Sequence, residues 1–258
     1  MFRPRLCLLG SPGSGKGSYG QILARHWGVP IVTVSQVLKQ QQQLVSQQDQ
    51  QDQMASGNLL DDQVVSQAVL EYLSQQQKDA TTTTSSYLLD GFPRTIDQIH
   101  LMESTWPTFL QVQAAVHLNV PTDVCERKLL GRRICTVCGN HFNIHGVTSG
   151  GFDLPPKLPR PGECHRANAL GTPSLPQQHN LTKCNAPWMR RDDDQRDVIQ
   201  HRLQLYAQHT KPILEYYCQQ QANSRLFDFV PYRGFQDMAR LQTELEEWLG
   251  ENLPETVQ

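Results

Sequence analysis

Short apolar runs alternate with longer amphipathic stretches along most of this chain, and their spacing predicts an α/β fold. Residues 6–9 form an apolar run that ends in a Gly-rich turn, and residues 19–27 behind it carry a helical pattern. A second apolar run at 31–34 follows Gly28 closely, so the opening reads strand, loop, helix, strand. Further strands are expected at 87–89, 114–118 and 226–230, with helices at 122–130, 193–221 and 235–249. On the longest helix, Ile199, Leu203, Tyr206, Ile213 and Leu214 recur on one face. Strands separated by helices imply a parallel sheet with helices flanking it.

Two kinds of segment break the alternation. From 36 to 53, ten of eighteen residues are Gln, a density that marks low complexity. Val37, Leu38, Leu44 and Val45 keep helical spacing there, so the segment is read as a helix with a Gln-rich solvent face over a disordered insert. The Thr/Ser tract at 81–86 reads as a loop. Residues 134–189 are rich in Gly, Pro, His and Cys without sustained periodicity, and are too long for a structureless loop. They are expected to form a small separate lobe.

Composition narrows the function. With 23 Lys+Arg against 25 Asp+Glu the net charge is −2, which argues against nucleic-acid binding through bulk positive charge but leaves room for a local basic pocket. No run approaches the ~20 apolar residues of a membrane helix. Seven Cys in 258 residues do not resemble a secreted disulfide scaffold. Four of them, Cys135, Cys138, Cys164 and Cys184, fall in one stretch that reads as a metal site or its remnant. The opening MFRPRLCLLGSPG enters a strand at once, with no room for a signal or long transit peptide. A cytoplasmic protein is therefore expected, with mitochondrion and plastid left open.

The first turn carries the chemistry. Gly10-Ser-Pro-Gly13-Ser14-Gly15-Lys16-Gly17-Ser18 stands between strand and helix, where a phosphate cradle belongs. Its glycines let backbone N–H groups turn inward around an anion, and the helix N-terminus adds partial positive charge. Lys16 would reach the β- and γ-phosphates and Ser18 the Mg²⁺ side. The strict pattern has Ser or Thr directly after Lys, whereas Gly17 intervenes here.

This variant resembles the loop of the adenylate kinase family of nucleoside monophosphate kinases. Three more segments match in order: Leu-Leu-Asp90-Gly91-Phe-Pro-Arg94-Thr-Ile-Asp-Gln98, Gly131-Arg132-Arg133, and Arg191-Asp-Asp-Asp194 followed by Arg202-Leu203 and the run from Pro212 to Tyr217. The resemblance implies a P-loop core (1–32, 77–133 and 190–258), an inserted monophosphate-binding lobe (33–76) and a Cys-containing lid of the long form (134–189). It implies reversible phosphoryl transfer from Mg-ATP to AMP, giving two ADP, in a monomer that binds neither nucleic acid nor membrane.

Such transfer brings two polyanions together, so several Arg and one Lys must converge from different segments. By resemblance, Gly13 to Ser18 would bind ATP, and Lys16, Arg132, Arg191 and Arg202 would surround the transferring group. Arg94 would hold the acceptor α-phosphate, Gln98 the acceptor adenine, and Asp90 the Mg²⁺ through water. Gly91 and Lys39 would complete the AMP site. Lys128, with Arg127 beside it, stands where the family covers the donor adenine, and either fits. The Asp192–Asp194 run would pair with lid arginines or organise the metal's water shell.

Two departures bear on the acceptor. The family's Ser-Thr-Gly-Asp-x-x-Arg segment corresponds here to Thr33-Val34-Ser35-Gln36-Val37-Leu38-Lys39, so a hydroxyl is replaced by Val34 and a forked Arg by Lys39. Lys keeps the charge but loses the fork, which predicts weaker AMP binding than the family norm. In the lid, Cys135-Thr-Val-Cys138 stands where zinc-bearing members place half a knuckle. Cys184 fills one place of the other half and Leu181 stands in its partner's, leaving Cys164, His165 or His179 as a fourth ligand for Zn²⁺. Three alternatives stay open: UMP or CMP as acceptor, GTP as donor, or a non-catalytic nucleotide-binding module.

Overall fold

A computed structural model describes residues 4–40, 58–78, 86–136, 141–158, 188–219 and 224–253. In chain order the elements are β1 (Arg5–Gly10), α1 (Lys16–Trp27), β2 (Ile31–Thr33), α2 (Val34–Gln40), α3 (Asp62–Lys78), β3 (Tyr87–Asp90), α4 (Ile96–Thr105), β4 (Ala114–Leu118) and α5 (Thr122–Leu130). Five short strands follow: β5 (Arg132–Cys135), β6 (His141–Asn143), β7 (Val147–Ser149), β8 (Phe152–Leu154) and β9 (Trp188–Met189). The chain then forms α6 (Arg196–Cys218), β10 (Leu226–Phe229) and α7 (Met238–Asn252).

The main sheet has the order β10-β4-β1-β3-β2, and every neighbouring pair is parallel. Strand β1 lies in the middle, with β3 on one side and β4 on the other. Chain direction therefore diverges at its carboxyl end, the place where open α/β sheets hold their ligands. Leu8 stands beside Asp90 and Gly10 beside Leu118 there, so the ends of three strands frame the Gly-rich turn.

Alternation along the strands divides the core. Cys7, Leu9, Val32, Leu89 and Ala115 face α2, α3, α4 and the far end of α6. Leu6, Leu8, Leu88, Ala114, Val116 and Leu118 face α1 and α7. A parallel sheet covered on both faces needs such nearly continuous apolar strands. Helix α1 approaches closely at Gly20, where a Cβ would lie 2.5 Å from Leu8 and 2.7 Å from Ile31.

Several boundaries differ from the sequence reading. Helix α1 starts at Lys16, three residues before its apolar pattern, because the phosphate turn feeds directly into it. The acidic run Asp192–Asp194 is a 3₁₀ turn before α6, and Gly234–Asp237 is another before α7. Within 134–189, the order β6-β5-β9 forms a small antiparallel sheet whose first strand begins at Arg132, and β7 and β8 form a hairpin. Gly150 and Gly151 supply that hairpin's two left-handed residues (φ 58° and 85°). Val147, Phe152 and Leu154 share an apolar cluster with α5 and with Ile199 and Leu203 of α6. The Gln-rich segment is helical over Val34–Gln40, and its remainder, like the Thr/Ser tract up to 85, lies outside the described residues. Among the described residues no helix is long and apolar enough to cross a membrane.

Candidate active site

The turn after β1 has the geometry of an anion cradle. Gly13 and Gly15 take φ of 93° and 97°, which side-chain-bearing residues rarely adopt. A Cβ at Gly13 would lie 2.6 Å from the Cys125 carbonyl oxygen, so the backbone itself presses against α5. Among the described residues, buried Ser14 Oγ has no hydrogen-bond partner, a polar atom waiting in the cradle. Lys16 folds back, its amine donating to the carbonyls of Gly10 and Ser11, the latter at 3.1 Å. Desolvation pushes its pKa down to about 8; Asp90 opposes the shift, while Arg94 and Arg202 add to it. Lys16, Asp90, Arg94 and Arg202 therefore lie within one another's electrostatic reach.

Asp90 ends β3 beside the first turn of α1. A Cβ on Gly17 would stand 3.2 Å from its carboxylate oxygen, which explains physically why the residue after Lys16 is the smallest. Among the described residues this carboxylate makes no hydrogen bond or close ion pair, so it is unspent. A phosphate cradle with an unspent carboxylate and a serine at the helix start fits a hydrated Mg²⁺ carried by nucleotide. Gly91 follows with φ of 94°, and Arg94 Nε donates to its carbonyl at 3.0 Å.

Gln98 is buried, and its carboxamide is held at both ends. Its oxygen accepts from Arg94 N at 2.7 Å and its nitrogen donates to Asp62 Oδ1 at 2.8 Å. Val34 is buried in the core under α2, and Lys39 lies in the same helix.

Three guanidinium groups meet two buried carboxylates. Arg132 grips Asp194 through both Nε (2.7 Å) and Nη2 (2.5 Å). Arg191 Nε and Nη2 hold Asp193, each at 2.8 Å. Arg202 Nη1 reaches Asp193 Oδ2 at 2.9 Å and donates to its backbone carbonyl at 3.0 Å. The pairs fix the guanidinium planes and leave net positive charge. The expected pairing of the acidic run with arginines is thus present in the geometry, although the sequence reading left open whether these carboxylates instead serve the metal.

On the far side, Lys128 is half-buried and Arg127 exposed. Burial and the neighbouring Lys157 both lower the pKa of Lys128. The hairpin docks on the loop after β10: Asp153 N donates to Tyr232 O at 2.7 Å, and the rings of Phe152 and Tyr232 lie 5.2 Å apart. Of the four cysteines expected as zinc ligands, only Cys135 is among the described residues, buried at the end of β5. Cys138, Cys164 and Cys184 lie outside them. Among the described residues no cluster of three or more His, Cys, Asp or Glu is placed to hold a metal.

Sequence reasoning missed the partners of these groups: Asp62 behind Gln98, and a triad next to the cradle in which buried His117 meets half-buried Tyr206 and exposed Asp228. No local motif signals either.

Comparison with known proteins gives the same answer independently. The chain is 30% identical over 234 residues to a "GTP:AMP phosphotransferase" of Plasmodium falciparum (isolate 3D7), covering 90% of this chain and 92% of that protein. An "Adenylate kinase" of Nitrosococcus oceani is 31% identical over 215 residues, 83% and 86% of the two chains. A "Probable adenylate kinase 6, chloroplastic" of Arabidopsis thaliana is 30% identical over 209 residues, 81% and 64% of the two. The family profile described as "Adenylate kinase" matches residues 8–222, and with the cradle, the Asp90 turn and the arginine cluster all in place, this chain belongs to the adenylate kinase family.

Proposed function

We propose that the chain moves the γ-phosphoryl group of Mg-ATP onto AMP through the residues that meet at the carboxyl end of β1. The observation that carries this reading is the convergence of Lys16, Asp90 and Arg94 with Arg132, Arg191 and Arg202. A module that only bound nucleotide would have no need of three arginines organised by buried carboxylates.

In this reading the amides from Gly13 to Ser18 cradle the donor phosphates, and Lys16 leaves the loop carbonyls to follow the transferring group. Ser18 and Asp90 would hold the Mg²⁺ carried by ATP, which would supply charge neutralisation at the donor phosphates. Arg94 forks the AMP phosphate, with Lys39 as a second cation and Gly91 lining the site. A phosphate oxygen of AMP attacks in line; the bond to the ATP bridging oxygen breaks, leaving ADP on each side. Arg132, Arg191 and Arg202 stabilise the equatorial charge of that transition state.

Gln98 keeps one N–H and one oxygen lone pair beyond its bonds to Asp62 and Arg94. That pair matches the donor and acceptor edge of adenine. Lys128, less exposed than Arg127, takes the donor-base side. Segments 33–76 and 134–189 close over the substrates and exclude water, so that phosphate goes to AMP rather than to hydroxide.

The name of the Plasmodium relative makes GTP a second donor to test. Initial rates of ADP formation from AMP with Mg-ATP, beside GDP plus ADP formation with Mg-GTP, decide it. The proposed reading expects a higher kcat/KM with ATP. A preference for GTP would move the donor and keep the acceptor.

A further inference from the structure

Behind the cradle, β4 carries a histidine within an otherwise apolar strand. His117 stands in register with Leu9 of β1 and Asp228 of β10, and strand alternation points it at α6. The ring is bound at both nitrogens: Nδ1 lies 2.6 Å from Asp228 Oδ1 and Nε2 lies 3.1 Å from the Tyr206 hydroxyl. Asn119 Nδ2 donates to the other Asp228 oxygen at 3.1 Å. A carboxylate accepts only, so Nδ1 carries the proton and Nε2 of the neutral ring accepts from Tyr206.

Tyr206 lies one helical turn beyond Arg202 on α6, where residues four apart share a face. The triad thus ties that turn of the helix to the sheet edge next to the phosphate loop. We propose that His117 is a positioning residue for phosphoryl transfer, pinning α6 through Tyr206 so that Arg202 meets the transferring group. The proposal rests on the role given to Arg202 above.

Protonated, Nε2 becomes a donor to the Tyr206 oxygen, so the bond to α6 reverses direction and persists. The groups facing the ring are Asp228 from β10, Tyr206 from α6 and Lys16 from α1, with Cys125 of α5 beside Tyr206 and Lys16. Desolvation lowers the His117 pKa and Lys16 adds to that, while Asp228 opposes it. The net direction is downward, so the ring is neutral at pH 7 and charges only as pH falls below the ordinary histidine range.

The test is kcat at saturating Mg-ATP and AMP from pH 5 to 9, for wild type, His117→Gln, Tyr206→Phe and Arg202→Lys. Titration of the nucleotide phosphates affects all four alike and cancels in ratios. Loss of one part-buried hydrogen bond predicts that His117→Gln and Tyr206→Phe lower kcat about three- to tenfold at pH 8, with both KM values within about twofold. Because the bond persists in either protonation state, the ratio of wild type to either variant holds across the pH range. A ratio of one, or a loss confined to KM, overturns the proposal. Tyr206→Phe, the milder change, carries the test if His117→Gln does not fold. Arg202→Lys separates the two claims: wild-type kcat there refutes the role of Arg202 itself, whereas wild-type kcat in His117→Gln and Tyr206→Phe beside a crippled Arg202→Lys refutes only the pin.

Discussion

Arg132 and Asp194, 62 residues apart in the chain, form a two-pronged ion pair in which the carboxylate is fully buried and the guanidinium stays 18% exposed. The asymmetry has consequences. Among the described residues, Arg132→Ala leaves a buried anion with only the Arg202 cation near it, at 3.8 Å. That variant is expected to lose about 3–5 kcal/mol of stability together with nearly all turnover. Asp194→Asn leaves a cation that water can still reach, and should lose less than half as much stability. Urea unfolding of both variants checks the order.

Lys16 is held charged at a penalty. Its pKa is pushed down to about 8 from 10.5, so between those values the unfolded chain binds the proton more strongly and stability rises with pH. Below pH 8 the penalty is fully present, about 1–2 kcal/mol once its partial exposure is allowed for. Lys16→Met should therefore abolish turnover yet raise Tm at pH 7 by about 2–6 °C. The gain should disappear near pH 10.5. Calorimetry of the nucleotide-free protein across pH reads this directly.

Gly13 is constrained by conformation and by space. With φ of 93° and the Cys125 carbonyl 2.6 Å from where a Cβ would stand, Gly13→Ala is expected to destabilise by about 1–3 kcal/mol. Because the loop backbone must shift to accept the methyl group, KM for the donor should rise at least about tenfold. Steady-state kinetics with varied Mg-ATP at fixed AMP measures it.

Lys39 on α2 stands where the family has a forked arginine. Restoring it with Lys39→Arg should lower KM for AMP by about five- to thirtyfold, corresponding to roughly 1–2 kcal/mol of charge-assisted bonding, with little change in KM for ATP. Equal AMP KM values for the two proteins would show that Lys39 does not touch the acceptor phosphate.

The strands and the cradle were legible because their signals are local. Apolar runs at 6–9, 87–89 and 114–118 became β1, β3 and β4, and the glycines of the loop sit where positive φ demands them. The arginines were legible as motifs, but their geometry was not. The acidic run Asp192–Asp194 reads as pairing with lid arginines or organising the metal's water shell, but its depth is not legible: Arg132 of β5, Arg191, and Arg202 of α6 together make burial of Asp193 and Asp194 tolerable. The hairpin of β7 and β8 was hidden because strands of three residues show no period, and its apolar side chains find partners on α5 and α6. His117 looked like one polar residue in an apolar strand, since Tyr206 and Asp228 lie 89 and 111 residues away.

The central claim is that these converging cations transfer phosphate to AMP. The most direct test is ADP formation from Mg-ATP with AMP, UMP, CMP or GMP, beside a Lys16→Ala control. The account predicts fast turnover with AMP, little with the other monophosphates, and a loss of at least about a thousandfold in the control. Measurable ATP binding without turnover on any monophosphate would contradict it and leave the chain a nucleotide-binding module.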